Sequence, residues 1–147
     1  MLIIQITLNI DGKMFNYKSF MKEVVETVDI EWPSEDSSNY IMIENPKTFG
    51  IEHDLIVYEE WYVSFIEKYY DKMLFHGADD IWLFTDVFYS KDQCNFEFFS
   101  KEMMTRLSKY SLSYPISAYK ISEEKLKSWL LEVGYTEKYL QLFLKND

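Results

Sequence analysis

From Leu2 to Ile10, every second residue of the chain is leucine or isoleucine, and Gln5, Thr7 and Asn9 stand between them. Successive side chains of a β-strand point to opposite faces of a sheet, so this period of two predicts a strand with one buried face. The fold therefore contains a sheet, and other elements must cover its apolar face.

Five later segments carry apolar residues at a spacing of three or four, which predicts amphipathic helices. Asn16, Ser100 and Ser122 begin the first, third and fourth of them as N-caps, and Gly77 and Gly134 follow the second and fourth as stops. The expected helices cover residues 16–28, 58–75, 100–110, 122–133 and 136–144.

Further strands are expected where β-branched and aromatic residues cluster. Residues 81–89 and 94–99 are joined by four residues with the composition of a turn, which predicts an antiparallel hairpin. Residues 40–43 and 111–119 are the other expected strands. Pro115 has no N–H group, so the last strand should lie at a sheet edge or begin after the proline.

This order of elements predicts an α+β fold in one domain of 147 residues, with a mixed or mostly antiparallel sheet covered by helices. Residues 1–121 form the expected α+β body, and residues 122–147 form a C-terminal extension of two helices. Residues 29–39 contain Pro33 and a polar cluster, and they are expected to form a solvated loop.

Between Glu26 and Glu60 the chain has ten carboxylates and one lysine, a formal charge of −9, while the whole chain carries −10. Because 48% of the residues are hydrophobic, these carboxylates belong to a folded body and form a local field that attracts a basic partner. The predicted partner-binding residues are Glu31, Trp32, Glu35, Asp36, Phe49, Glu52, Asp54, Glu59 and Glu60.

Two aromatic residues in this stretch have two alternative interpretations. Trp32 and Phe49 lie in irregular, acid-rich segments. They either anchor in a pocket of the partner, with the carboxylates steering a basic surface, or fold back over the core as loop lids.

Histidines and acids suggest one metal site, which has a simpler alternative. His76, Asp79 and Asp80 have a spacing that suits a divalent cation. The same residues are also typical of a helix C-terminus followed by a turn. His53 stands between two acids, as an exposed loop histidine or as a ligand or base. We predict no metal and no cofactor.

Other catalytic patterns are weak. Cys94 has no nearby base to activate it and is expected to be a packed strand residue. The four glycines are widely spaced and form no phosphate-binding loop. Asp86 lies in an aromatic strand, either on the solvated face of the sheet or as a buried carboxylate with a raised pKa. The sequence thus predicts that the protein is not an enzyme.

Several other classes of function are disfavoured. A single cysteine cannot close an intrachain disulfide, which favours the reducing cytoplasm. The N-terminal run lacks the features of a signal peptide, and no membrane span is expected. Arg106 is the single arginine, and the lysines form no stripe suited to a phosphate backbone, so direct nucleic-acid binding is not expected.

Three stretches, residues 81–89, 95–107 and 112–119, carry a hairpin ending in Phe-x-x-Ser-x-Glu, then a short helix, then a strand that closes on tyrosine. In these stretches the chain resembles a bacterial family of α+β domains that includes immunity proteins of contact-dependent growth inhibition and other polymorphic toxin systems. The resemblance covers about residues 2–121 and departs in the C-terminal helices. It implies a cognate toxin domain as partner, and it supplies no catalytic motif.

Three hypotheses follow. The first is an immunity protein that binds and neutralises a toxin, a basic nuclease, through an acidic surface. The second is a non-catalytic adaptor or homo-oligomeric module whose acidic stretch maintains solubility. The third is an enzyme with a divalent metal near His76.

Overall fold

The computed structural model describes residues 1–32, 39–92 and 95–144, and in these ranges five helices pack on a mixed six-stranded sheet. This confirms the predicted α+β class. The strands are β1 (Leu2–Asp11), β2 (Asp29–Trp32), β3 (Tyr40–Glu44), β4 (Gly50–Ile51), β5 (Asp80–Tyr89) and β6 (Ile116–Lys120). The helices are α1 (Tyr17–Met21), α2 (Leu55–Phe75), α3 (Lys101–Leu107), α4 (Glu123–Glu132) and α5 (Glu137–Leu144).

The N-terminal strand lies at the centre of the sheet. β1 pairs with β5 in antiparallel fashion over its whole length, from Leu2 opposite Tyr89 to Asp11 opposite Asp80. Its other side pairs with β3 near one end and with the short β4 near the other. β2 extends the sheet beyond β3, and β6 runs parallel to β5, which makes the sheet mixed.

Two buried tyrosines close the gap between β3 and β4. Ile6 lies between the residues of β1 that pair with these two strands. Its N–H donates to the Tyr58 hydroxyl at 3.0 Å, and its carbonyl accepts from the Tyr62 hydroxyl. Tyr58 then donates to the carbonyl of Thr48, and Tyr62 accepts from the N–H of Asn45. Helix α2 thus supplies the hydrogen bonds that a continuous strand would supply.

One face of the sheet is covered by α1, α2 and α3. The alternating apolar residues of β1 pack there against the buried side of α2 and against Met103 and Leu107 of α3. The period of two in the sequence therefore marks the true buried face. Helix α2 begins at Leu55, three residues before the predicted start. The sequence pattern missed this first turn because Ile56 and Val57 are exposed and do not continue the apolar stripe.

The opposite face is covered at one end by the two C-terminal helices. Ile3 of β1 and Ile51 of β4 join Leu126 and Leu130 of α4 and Leu140 of α5 in a second hydrophobic cluster. Farther along β1, the residues on this face are Gln5, Thr7 and Asn9, which lie at the bottom of a groove.

The region after the first helix was predicted incorrectly. Helix α1 ends at Met21 instead of continuing to residue 28, because the β-branched residues that follow have low helix propensity. The N–H of Val25 donates instead to the Tyr69 hydroxyl on α2. Part of the predicted loop forms β2, which pairs with β3 through an irregularity between Ile30 and Trp32.

The predicted hairpin after β5 is also wrong for the part that the structure describes. Residues 95–99 form no strand. Phe99 has a φ of 51° and is buried, with its N–H donating to a Glu59 oxygen at 3.1 Å. The place beside β5 belongs to β6, which begins immediately after Pro115 and ends the strand order, as the missing N–H of the proline predicts.

Candidate functional site

Several of the predicted binding acids have structural roles. Glu59 is 3% exposed and holds the backbone of Phe99, so it is not part of an exposed acidic surface. Burial raises the pKa of Glu59 to about 7, although the hydrogen bond from Phe99 lowers it. Asp54 pairs with Lys47 and accepts the N–H of Ile51 at 3.0 Å. Glu59 within α2 and Asp54 before it therefore stabilise the fold, and neither contributes a free negative charge to the surface.

Glu60 is half-buried and is also paired. Arg106 of α3 reaches Glu60 at 2.8 Å and Glu67 at 2.6 Å, joining two turns of α2 to α3. The pKa of Arg106 is raised by its hydrogen bonds to Glu67 and Glu60, so the guanidinium offsets one of the two carboxylate charges. Part of the negative field near Glu60 is therefore already balanced within the fold.

The other predicted residues are dispersed. Glu31 and Glu52 are exposed, and Trp32 ends β2 opposite Met42. Glu35 and Asp36 lie outside the described residues. Phe49 is 8% exposed and packs in the second hydrophobic cluster, so the loop-lid alternative is correct and the exposed-anchor alternative is wrong. Partner binding by the exposed residues stays a prediction.

The uncovered part of the sheet face forms an open groove of about 320 Å³, which we call the sheet groove. Four neighbouring strands line it, because their polar or aromatic positions point to the same side as Gln5, Thr7 and Asn9 of β1. The lining residues among those described are Gln5, Thr7, Asn9, Glu31, Met42, Glu44, Trp82, Phe84 and Asp86.

Glu44 is the most buried acid of the sheet groove. It is 4% exposed, and among the described residues its side chain accepts one hydrogen bond, from Gln5 at 3.0 Å. Burial raises its pKa to about 7, and the charges of Glu31 and Asp29 raise it further, while the Gln5 bond lowers it. The carboxylate form of Glu44 thus lacks the donors that would stabilise a buried charge.

Asp86 adds a second carboxylate on the other side of β1. It is half-buried, lies opposite Gln5 in the sheet, and its pKa is raised by burial. It accepts no hydrogen bond from the described part of the chain. Asp86 lies on the open face of the sheet, as the first alternative predicts. It is also partly buried with a raised pKa, as the second predicts.

Aromatic rings form the other wall of the sheet groove. Trp82 and Phe84 precede Asp86 on the same face of β5 and are half-buried. Trp82 is stacked with Tyr40, with ring centroids 6.1 Å apart. The Tyr40 hydroxyl donates to Asn9 at 2.5 Å, which holds the pair against β1.

Comparison with known proteins gives no relative from which the role of the sheet groove could be inferred. The chain matches no protein-family model, no curated protein sequence and no solved structure. In the described ranges, no helix combines the length and the apolar character that a membrane span needs.

The predicted histidine sites have other contacts. His76 lies 2.6 Å from a Glu23 oxygen, and Asp79 accepts the N–H of Lys13 at 3.0 Å. His53 contacts the Tyr139 hydroxyl on α5. Across residues 1–32, 39–92 and 95–144, no three His, Cys, Asp or Glu side chains are grouped so that they could hold a metal ion. The residues near His76 therefore form no such group in these ranges, the metal hypothesis stays untested, and Cys94 lies outside the described residues.

A second, more apolar depression of about 240 Å³ meets the sheet groove at Gln5. Phe49 contributes its small exposed edge to this depression, beside Phe88, Trp129 and Val133. Phe49 therefore forms part of a wall instead of protruding into a partner.

The sheet groove has an acidic and aromatic lining. The described lining of the sheet groove contains no histidine, cysteine or lysine, so it offers carboxylates, amides and aromatic rings. Such a surface attracts cations and packs against flat apolar groups. Sequence reasoning missed Glu44, Trp82 and Gln5 as site residues. The available signal was that polar side chains fall on the same alternating face of strands predicted to be adjacent.

Proposed function

We propose that this protein is an immunity protein, which binds one cognate toxin domain, a basic nuclease, and neutralises it without chemistry of its own. The observation that carries the proposal is the sheet groove. It combines the carboxylates of Glu31, Glu44 and Asp86 with aromatic walls, and no lysine or arginine is among its described lining residues.

The chemistry of the partner follows from its substrate. A nuclease holds a phosphate backbone with cationic side chains, so the surface around its active site is positively charged. An acidic protein with a net charge of −10 approaches such a surface faster than a neutral one. Half-buried aromatic residues such as Trp82 are typical anchors at the centre of an interface.

The sheet groove is the centre of this interface and not all of it. A standard interface covers roughly 800 Å² on each partner, about a tenth of the accessible surface of 8705 Å². Exposed residues beside the groove extend it, with Asp29 of β2 opposite Glu44 on one side and the apolar depression on the other.

We also propose a cytoplasmic location. The single cysteine supports it, because a reducing compartment requires no disulfide. An inhibitor of a nuclease must also be present where the nucleic acid is.

Co-expression with the product of the neighbouring reading frame tests the proposal. We expect that product to be toxic alone and harmless with the wild-type chain, and we expect the two proteins to co-purify. Glu44→Gln with Asp86→Asn should reduce protection. Asp71→Asn with Glu102→Gln changes the net charge equally at exposed positions of α2 and α3 and should not. Protection by neither wild type nor control would refute the proposal.

One observation favours the alternative of a homo-oligomeric module. β6 ends the strand order and exposes Ile116 (53%) and Tyr119 (46%), and an exposed edge strand is a template for pairing with another chain. A dimer in light scattering that Ile116→Lys dissociates, together with a harmless neighbouring product, would favour this alternative.

A further inference from the structure

The sheet groove contains negative charge that the described part of the protein does not neutralise. Glu44 is 4% exposed as a residue, and among the described residues Gln5 is its single hydrogen-bond donor, bound to one of its two oxygens. Asp86 has no donor among them. Both side chains line the open groove, so their remaining acceptor sites can receive donors from a ligand in place of water.

The two carboxylates lie on either side of one strand. Glu44 ends β3 and Asp86 lies in β5, and β1 runs between these strands. The register puts Glu44 level with Thr7 and Asp86 level with Gln5. Two strand spacings and this offset of two residues place their backbones about 12 Å apart, and both side chains line the same cavity. A planar donor group between them can face one carboxylate with each edge.

The aromatic walls of the sheet groove favour a flat donor group. Trp82 is held by stacking on Tyr40, and Phe84 lies next to it on the same face. A guanidinium stacks on an aromatic ring and presents five N–H donors in a fixed plane, whereas an ammonium is a compact, strongly hydrated charge. The volume of about 320 Å³ is at the small end of ligand pockets, enough for one long side chain.

We infer that the sheet groove receives one arginine side chain of the partner protein, with its guanidinium between Glu44 and Asp86 and its flat face against Phe84, which lies opposite Thr7. This inference rests on the proposed function for the partner's identity, but the preference for a guanidinium follows from the groove alone. A divalent metal fits less well, because no three ligand side chains are grouped among the described residues.

A small probe tests the inference without the partner. N-acetyl-arginine methylamide is titrated into the full chain, labelled with ¹⁵N, at about pH 8 and low ionic strength, so that the carboxylates are ionised and little screened. We expect saturable shifts at the backbone of Glu44, Phe84 and Asp86. N-acetyl-lysine methylamide should bind more weakly.

The same two pairs of substitutions serve here, one as the test of the groove carboxylates and the other as the control for net charge. Glu44→Gln with Asp86→Asn should weaken arginine binding about tenfold or more, because charge-assisted hydrogen bonds are lost. Asp71→Asn with Glu102→Gln should leave it unchanged. No saturable shift up to about 50 mM arginine probe, or equal binding of the lysine probe, would overturn the inference.

The outcome is separate from that of the proposed function. If the toxin domain is bound and neutralised but the arginine probe does not enter the sheet groove, the inference fails and the proposed function stands. If the probe binds at Phe84 and no neighbouring product is toxic, the inference stands and the proposed function fails.

Discussion

Replacing Glu44 with glutamine should stabilise the fold above neutral pH and at the same time weaken binding to a basic partner. Glutamine has nearly the same shape and keeps a carbonyl acceptor for the Gln5 amide, which donates at 3.0 Å. It carries no charge, so it removes the cost of ionising a buried carboxyl. Opposite effects on stability and binding are the expected signature of a residue kept for function.

The magnitude follows from the pKa of Glu44, which rises from 4.5 to about 7 in the fold, chiefly through burial. Each pKa unit corresponds to about 1.4 kcal/mol, so ionising Glu44 in the folded state costs about 3 kcal/mol. Between these two pH values the folded protein holds a proton that the unfolded chain has released. The free energy of unfolding therefore falls as pH rises from about 4.5 to about 7 and is level above.

Urea unfolding followed by tryptophan fluorescence measures this difference. Relative to its value at about pH 4, the free energy of unfolding of Glu44→Gln should exceed that of wild type by about 3 kcal/mol at about pH 8. Glu59 titrates in the same interval in both proteins, so the difference between them isolates Glu44. Parallel pH curves for variant and wild type would refute the buried-charge interpretation.

Three further substitutions test the fold around the site. Tyr62→Phe removes the hydroxyl that bridges β1 and Asn45, and it should lower the free energy of unfolding by about 2–4 kcal/mol in urea titrations; a loss below the error of the titration would contradict the bridging role. Glu59→Ala should destabilise the fold by about 2 kcal/mol or more, since Phe99 loses its acceptor, whereas Glu59→Gln should be at least as stable as wild type near pH 8, and equal thermal midpoints for all three proteins would argue against this latch. Arg106→Ala should cost at most about 1 kcal/mol because its ion pairs are partly solvated, and a much larger loss by calorimetry would show that the pairs are more desolvated than their exposure implies.

The fold class was predictable because its strongest signals are local. The alternation in β1 and the apolar stripe of α2 are each set by a few neighbouring residues, and both appear on the predicted face. The position of β6 after Pro115 follows from one missing N–H group.

The errors concern segments whose structure depends on distant residues. β2 is four residues long and forms only beside β3, so its sequence alone resembles a loop. Residues 95–99 are aromatic and β-prone, yet Glu59 of α2 fixes the backbone of Phe99 in a left-handed conformation that a strand excludes.

The acidic stretch is an incomplete guide to the binding site for the same reason. Charge density along the chain does not distinguish a carboxylate that pairs with Arg106 from one that has no cationic partner. Glu44 and Asp86 are 42 positions apart in sequence and come together only through the register of the sheet. The basic character of the partner, which the acidic stretch predicts, stays a prediction.

The most direct test of the sheet groove as the proposed binding site is the dissociation constant of the proposed toxin partner, measured by calorimetry for three proteins. Relative to wild type, Glu44→Gln with Asp86→Asn should weaken binding about 100-fold, with a smaller dependence on salt. Asp71→Asn with Glu102→Gln should change the affinity by less than about threefold. Equal losses in both pairs would show that only total charge matters, and unchanged affinity in the groove pair would place the interface elsewhere.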